Sequence, residues 1–260
     1  MSTDTAHAVA GEEHHEHHWE TSTAPLILVA GLFFMVPMGF SAYFVYESMI
    51  LTALFCGVGT PMVVWGVARW VAEGLVYKPL KDGLAGVALP IFIVSEVFIF
   101  LGLFAGYWSM RLPFEHWPPE GTPHIDLMLP VIMTFLLLAS SVTIHIGEEK
   151  LFHNRDMEGF RKWLFITILI GLVFLMCTIY EYSHLAQLGF VPSTNAFSSA
   201  FFSITGFHAS HVFVGLAAFV AVAIPAMSGR TNDTFVKCVS IYWHFVDVVW
   251  FFVVTQIYFW

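Results

Sequence analysis

Long apolar runs separated by short polar breaks fill the chain from Ala24 onward. Seven runs read as helices, at 24–46, 48–72, 83–110, 126–147, 162–185, 197–227 and 235–260. Each meets the roughly 20 residues needed to cross a bilayer's hydrocarbon core. Several are longer and are expected to tilt. The breaks fall at Glu47 and at 76–82, 112–125, 147–161, 189–195 and 228–234. The third break holds Pro113, Pro118, Pro119 and Pro123, which remove backbone donors and stop a helix. The pattern predicts an all-α integral membrane protein, with residues 1–23 a polar tail and 24–260 one seven-span membrane domain.

Composition agrees: 58% of residues are hydrophobic and 11% charged, against about 25% charged in a soluble domain. The net charge of −9 comes largely from loops and tail, and nucleic acid is not an expected ligand. Cys56, Cys177 and Cys238 lie scattered in apolar context, which suggests neither a zinc pattern nor a disulfide framework. The tail packs His14, His15, His17 and His18 among Glu12, Glu13, Glu16 and Glu20. Such a cluster can catch metal ions, but plain solvation is the simpler account. The first residues lack a basic region followed by an apolar core, so the first span is expected to direct membrane insertion.

Basic residues set the expected orientation. Arg69, Lys78, Lys81, Lys150, Arg155, Arg161, Lys162, Arg230 and Lys237 lie in or beside the breaks after spans two, four and six, whereas the opposite side has Arg111. The positive-inside rule therefore puts the N-terminus in the cytoplasm and Trp260 on the outer face of a bacterial-type plasma membrane.

Against this background the ionisable residues within spans become candidates. Glu96 sits inside the run Leu89–Trp108. An acidic residue at a helix centre costs roughly 2.5–3.5 kcal/mol by insertion scales and is tolerated only facing other helices, a partner or water. A purely structural role is also open, with the acid bonding a neighbouring helix through Ser95 or a tyrosine. In span six, His208 and His211 share a helical face. They suit metal or haem ligation only if His145, His184 or His244 completes the set, and interhelical hydrogen bonding is the favoured reading. In the last span, His244 and Asp247 also stand three apart and are expected to pair. Trp243, Asp247 and Trp250 form a stripe suited to packing against a partner. Glu181, in the cluster Tyr180–His184, reads either as a polar contact or as a solvated helix end.

These residues, taken in order, resemble subunit III of the heme–copper oxidases, most closely that of cytochrome c oxidase. The resemblance is carried by Ser95-Glu96-Val97, Trp117-Pro118-Pro119, Glu181-Tyr182, Thr205-Gly206-Phe207-His208 with His211-Val212, and above all the run Tyr242–Trp250. It covers about residues 83–260; the first two spans share only hydropathy. The resemblance implies two helices splayed from a five-helix bundle, with a cleft that holds phospholipid. It also implies a core subunit without redox centres, packed mainly against subunit I, with subunit II nearby. Haem and copper would lie in the partner subunits, and cytochrome c would be the electron donor to the complex. Such a subunit supports proton uptake and stabilises subunit I. Glu96 matches the family's buried, carbodiimide-reactive glutamate. His208, His211, His244, Asp247 and Glu181 are expected in interhelical polar contacts. Trp65, Glu73 and Arg230 are loosely matched to lipid contacts. Accessory subunits of quinol oxidases or nitric oxide reductases, and a stand-alone channel or transporter, remain as alternatives.

Overall fold

The structure, a computed structural model, describes residues 22–76 and 84–259; the His14–His18 cluster lies outside the described residues. Among the described residues, seven helices are long and apolar enough to cross a membrane, and no strand occurs. The first span is built from α1 (Ala24–Phe33), a π-helical turn (Phe34–Met38) and α2 (Gly39–Phe44). Spans two to seven are α3 (Met49–Val76), α4 (Leu84–Arg111), α5 (Met128–Phe152), α6 (Met157–Gln187), α7 (Ala196–Met227) and α8 (Asp233–Val253), the last continued by a π turn at Val254–Tyr258.

The chain divides into two compact units, Met1–Lys78 with two spans and Pro79–Trp260 with five. In the first unit, α1 packs on α3 through glycines. A Cβ on Gly59 would lie 2.7 Å from the Gly31 carbonyl oxygen, and one on Gly31 would lie 2.8 Å from the Val63 nitrogen. Lipid tails supply no hydrophobic drive between helices, so close approach through small residues carries the association.

In the second unit α5 and α6 form an antiparallel pair, α7 packs on α6, α8 closes against α5 and α7, and α4 lies on α7 and α8. Trp243 fills the centre and is fully buried. Local signals set the helix ends. Asp156 caps α6 by accepting from the Gly159 amide at 2.9 Å, and Asn232 caps α8 through Phe235. Asn195 and Ser198 exchange side-chain and backbone bonds in a reciprocal capping box at the start of α7. After α6 and α7 the chain turns at Gly189 and Gly229, with φ of 78° and 72°. Each allows the two paired carbonyl–amide bonds that close a helix C-terminus.

The fourth and fifth spans extend beyond their apolar runs. The expected break at 147–161 shrinks to residues 153–156, because α5 continues to Phe152 and α6 begins at Met157. Charged residues in those turns mark where the helices leave the apolar layer, not where they end.

Candidate functional site

Glu96 on α4 meets His211 on α7, its Oε2 lying 3.0 Å from the imidazole Nε2. The other ring nitrogen, Nδ1, is 2.9 Å from the Phe207 carbonyl. A carbonyl only accepts, so Nδ1 carries its hydrogen. One further proton therefore lies between Nε2 and Glu96, giving either an acid donating to imidazole or a carboxylate accepting from imidazolium. The side chains of His211 and Glu96 are only 11% and 13% exposed. Phe100 and Phe207 pack edge-on against the imidazole, and Tyr242 stacks with it. Ser95, one expected partner of Glu96, instead donates to the Phe92 carbonyl at 2.6 Å.

A second polar group ties α8 to α5. Ser141 donates to Asp247 Oδ2, and its Oγ lies 2.9 Å from His244 Nδ1. A hydroxyl has one hydrogen, so with that hydrogen on Asp247 the imidazole Nδ1–H donates to Ser141. His244 and Asp247 are thus joined through Ser141 instead of pairing directly as their spacing suggested. Trp243 donates to Ser140 and Trp250 to Thr134, each at 2.9 Å. Trp243, Asp247 and Trp250 are all buried, so the stripe read as a partner-packing face is interior. The reason is that α5 supplies Ser140, Ser141 and Thr134 at the matching heights, a signal visible only as small polar residues in an apolar run.

His208 departs from expectation. It is buried, yet neither ring nitrogen has a hydrogen-bond partner among the described residues. Phe174 packs edge-on against it at 5.9 Å, and Trp250 lies over it at 5.1 Å. Aromatic packing holds this ring, not an interhelical bond. Glu181 is buried, not a solvated helix end, and accepts from the Tyr258 hydroxyl at 2.8 Å. At the next residue of α6, the Tyr182 hydroxyl bonds that of Thr205 on α7 at 2.6 Å. Tyr258 and Ser141 carry these contacts, and neither stood out in the sequence.

Of the residues matched to lipid contacts, Trp65 and Glu73 belong to the first unit and Arg230 to the second. Along α3, the Arg69 guanidinium lies 5.2 Å from the Trp65 ring centre and donates to Glu73 at 3.0 Å. Ser22 also donates to Glu73. These bonds, Ser22 foremost and then Arg69, outweigh desolvation and hold the Glu73 carboxyl below its ordinary range. Arg230 is exposed just past the turn at Gly229. Among the described residues, no three His, Cys, Asp or Glu side chains stand close enough together to hold a metal ion.

Comparison with known proteins gives one consistent family. The family model for cytochrome c oxidase subunit III matches residues 14–260. The cytochrome c oxidase subunit 3 of Synechocystis sp. is 42% identical over 164 residues, covering 62% of this chain and 69% of the relative. That of Thermostichus vulcanus is 41% identical over 174 residues, covering 65% and 84%. That of Corynebacterium diphtheriae is 36% identical over 185 residues, covering 69% and 89%.

Proposed function

Because the chain belongs to the cytochrome c oxidase subunit III family, we propose that within the oxidase complex it is a membrane-embedded support without a redox centre of its own. In this reading subunit I is its main partner, with subunit II nearby, and those subunits hold the haem and copper. Cytochrome c delivers electrons to the complex, which reduces oxygen to water and pumps protons. The chain steadies subunit I, sustains its proton uptake and binds phospholipid. Its N-terminus is cytoplasmic and its C-terminus lies on the outer face, a placement supported by nine basic residues on one side against one on the other.

One observation carries the proposal: Glu96, His211, His244, Asp247, Glu181 and His208 are each bonded within the five-span unit or sealed among aromatic rings. Glu96 engages His211, Ser141 joins His244 to Asp247, Glu181 accepts from Tyr258, and His208 is enclosed by Phe174 and Trp250. Such groups fix a rigid bundle. A stand-alone channel or transporter would need them turned toward a shared aqueous path. The lipid role rests on less: Arg69 at Trp65 and Glu73, and the planar donors of Arg230, which suit a phosphate.

Gentle purification from the native membrane tests this function. The chain is expected to co-migrate with a haem-bearing subunit at equal stoichiometry, while showing no haem band when isolated. Recovery only as a homo-oligomer would refute the proposal.

A further inference from the structure

Three interhelical bonds fix the register of α5 on α8: Thr134 meets Trp250, Ser140 meets Trp243 and Ser141 meets Asp247, so the helices run antiparallel. This register gathers ionisable and hydroxyl groups into one row. Ser141, His145 and Glu148 follow at helical spacing on α5, and Asp247, His244, Ser240 and Lys237 on α8. Neighbouring members are in reach of one another. Glu148 has the Ser240 hydroxyl, His145 and Lys237 beside it, and His145 also acts on His244. His244 Nδ1 lies 2.9 Å from Ser141 Oγ, and Ser141 donates to Asp247 Oδ2. At 1.5 Å per residue, Asp247 is about 15 Å farther along α8 than Lys237.

The row is open at one end and blind at the other. His145 is exposed, Glu148, His244 and Ser141 are half-buried, and Asp247 is buried. Beyond Asp247 no ionisable side chain occurs at 128–140 on α5 or at 248–253 on α8, and Trp250 bonds Thr134 across the seam. The other elements packed on α8 add no proton carrier. Glu96 of α4 and His211 of α7 bond each other, with Tyr242 stacked on that imidazole; His208 of α7 is enclosed by Phe174 and Trp250, and Tyr258 of the π turn is bonded to Glu181. Asp247 is short of donors. A carboxylate offers about four acceptor sites, yet Ser141 reaches only Oδ2, and the buried Oδ1 has no hydrogen-bond partner among the described residues. An amide would staple α8 to α5 equally well without a buried acid, so the acid points to proton exchange.

We propose that Asp247 is a reversible proton store, filled and emptied through His244 and Ser141 from the end of the bundle that bears Glu148 and Lys237. With the Ser141 hydrogen on Asp247 Oδ2, the neutral His244 ring carries its hydrogen on Nδ1 and leaves Nε2 bare. A proton delivered by water at the open end bonds to Nε2. The Nδ1 hydrogen then passes to Ser141 Oγ as the Ser141 hydrogen passes to Asp247 Oδ2. Asp247 becomes the neutral acid, Ser141 again holds one hydrogen, and His244 remains neutral with its hydrogen on Nε2. The charge that entered cancels the carboxylate charge, and the same steps in reverse return the proton. Because the row stops at Asp247, it holds a proton without conducting it across the membrane. The inference concerns the chain's own residues and stands whether or not the oxidase reading does.

Infrared spectroscopy of the chain, purified from its membrane with its native partners, tests the proposal. The difference spectrum against Asp247→Asn identifies the Asp247 carboxyl band, with pH lowered until it appears. On transfer to deuterated buffer at that pH, the band should shift as the proton exchanges. Ser141→Ala should slow the shift about tenfold, the penalty of one lost hydrogen-bonded step. His244→Phe, which keeps a planar ring without its nitrogens, should slow it likewise, whereas Ser141→Thr, which keeps the hydroxyl, should exchange near the native rate. The Glu96 carboxyl, identified through Glu96→Gln, is the internal control, because it belongs to the α4–α7 pair and its exchange should not respond. If Ser141→Ala does not fold, His244→Phe carries the comparison. Exchange of Asp247 at the native rate in either folded variant would overturn the proposal, as would an Asp247 carboxyl band that appears at no pH at which the protein stays folded.

Discussion

Gly215→Ala is the sharpest single perturbation of the five-span unit. Trp243 is fully buried between Gly215 on α7 and Gly171 on α6. A Cβ at position 215 would stand 2.7 Å from Cε3 and 2.9 Å from Cζ3 of the indole. Ordinary contact begins near 3.4 Å, so ring and helix must part by about 0.5–0.7 Å. The indole cannot swing away: a Cβ on the far side, at Gly171, would already lie 3.0 Å from its Cη2, and Nε1 is bonded to Ser140. Overpacking of this kind costs about 1–3 kcal/mol. The assay is unfolding of the purified complex in detergent, followed by loss of the native tryptophan signal. Gly215→Ala should destabilise within that range. Trp243→Phe should also destabilise, through the lost bond to Ser140. The double variant should be more stable than the sum of the two losses by about 1 kcal/mol, because the smaller ring accepts the new methyl group. A Gly215→Ala protein of unchanged stability, or strictly additive losses, would refute the seating of Trp243 between the two glycines.

Other predictions follow from the polar groups. Glu96→Gln keeps a donor facing His211 Nε2, so assembly and oxygen consumption should persist. Glu96→Ala leaves that nitrogen buried and unpaired and should cost about 1–2 kcal/mol; loss of turnover in an intact Glu96→Gln complex would show that the charged pair is required. His208→Phe should leave stability unchanged or raise it, since the imidazole makes no hydrogen bond to the described residues in its aromatic setting; a loss above about 1 kcal/mol in an unfolding titration would contradict that packing. The Ser22–Glu73–Arg69 contact should persist through mild acid. Its stabilisation is present above the ordinary carboxylate range and lost only as pH falls through the lowered Glu73 value. Carboxylate NMR or infrared titration showing Glu73 protonating with ordinary glutamates would count against it.

Hydropathy made the spans legible because lipid demands long uninterrupted apolar helices. It could not show where α5 and α6 end, since their charged turns at 148–152 and 157–162 are helical outside the apolar layer. The site was legible in part. A carboxylate at position 96 and a histidine at 211 each announced themselves as costly in a membrane, but their pairing across 115 positions is a product of α4 packing on α7. Ser141 was silent, because one serine in an apolar helix carries no periodic signal. His208 misled: its spacing from His211 suggested shared chemistry, whereas the helix turns the two rings into different surroundings, one bonded and one enclosed by Phe174 and Trp250.

The central claim, that the chain sustains a partner that performs the chemistry, is tested most directly by oxygen consumption of the oxidase depleted of this chain. The depleted complex should retain haem and copper and begin turning over, then lose activity progressively faster than the intact complex, most of all at alkaline pH. Adding back the purified chain should restore both the initial rate at alkaline pH and the lifetime. Identical rates and lifetimes with and without the chain, or immediate loss of the metal centres on its removal, would contradict the account.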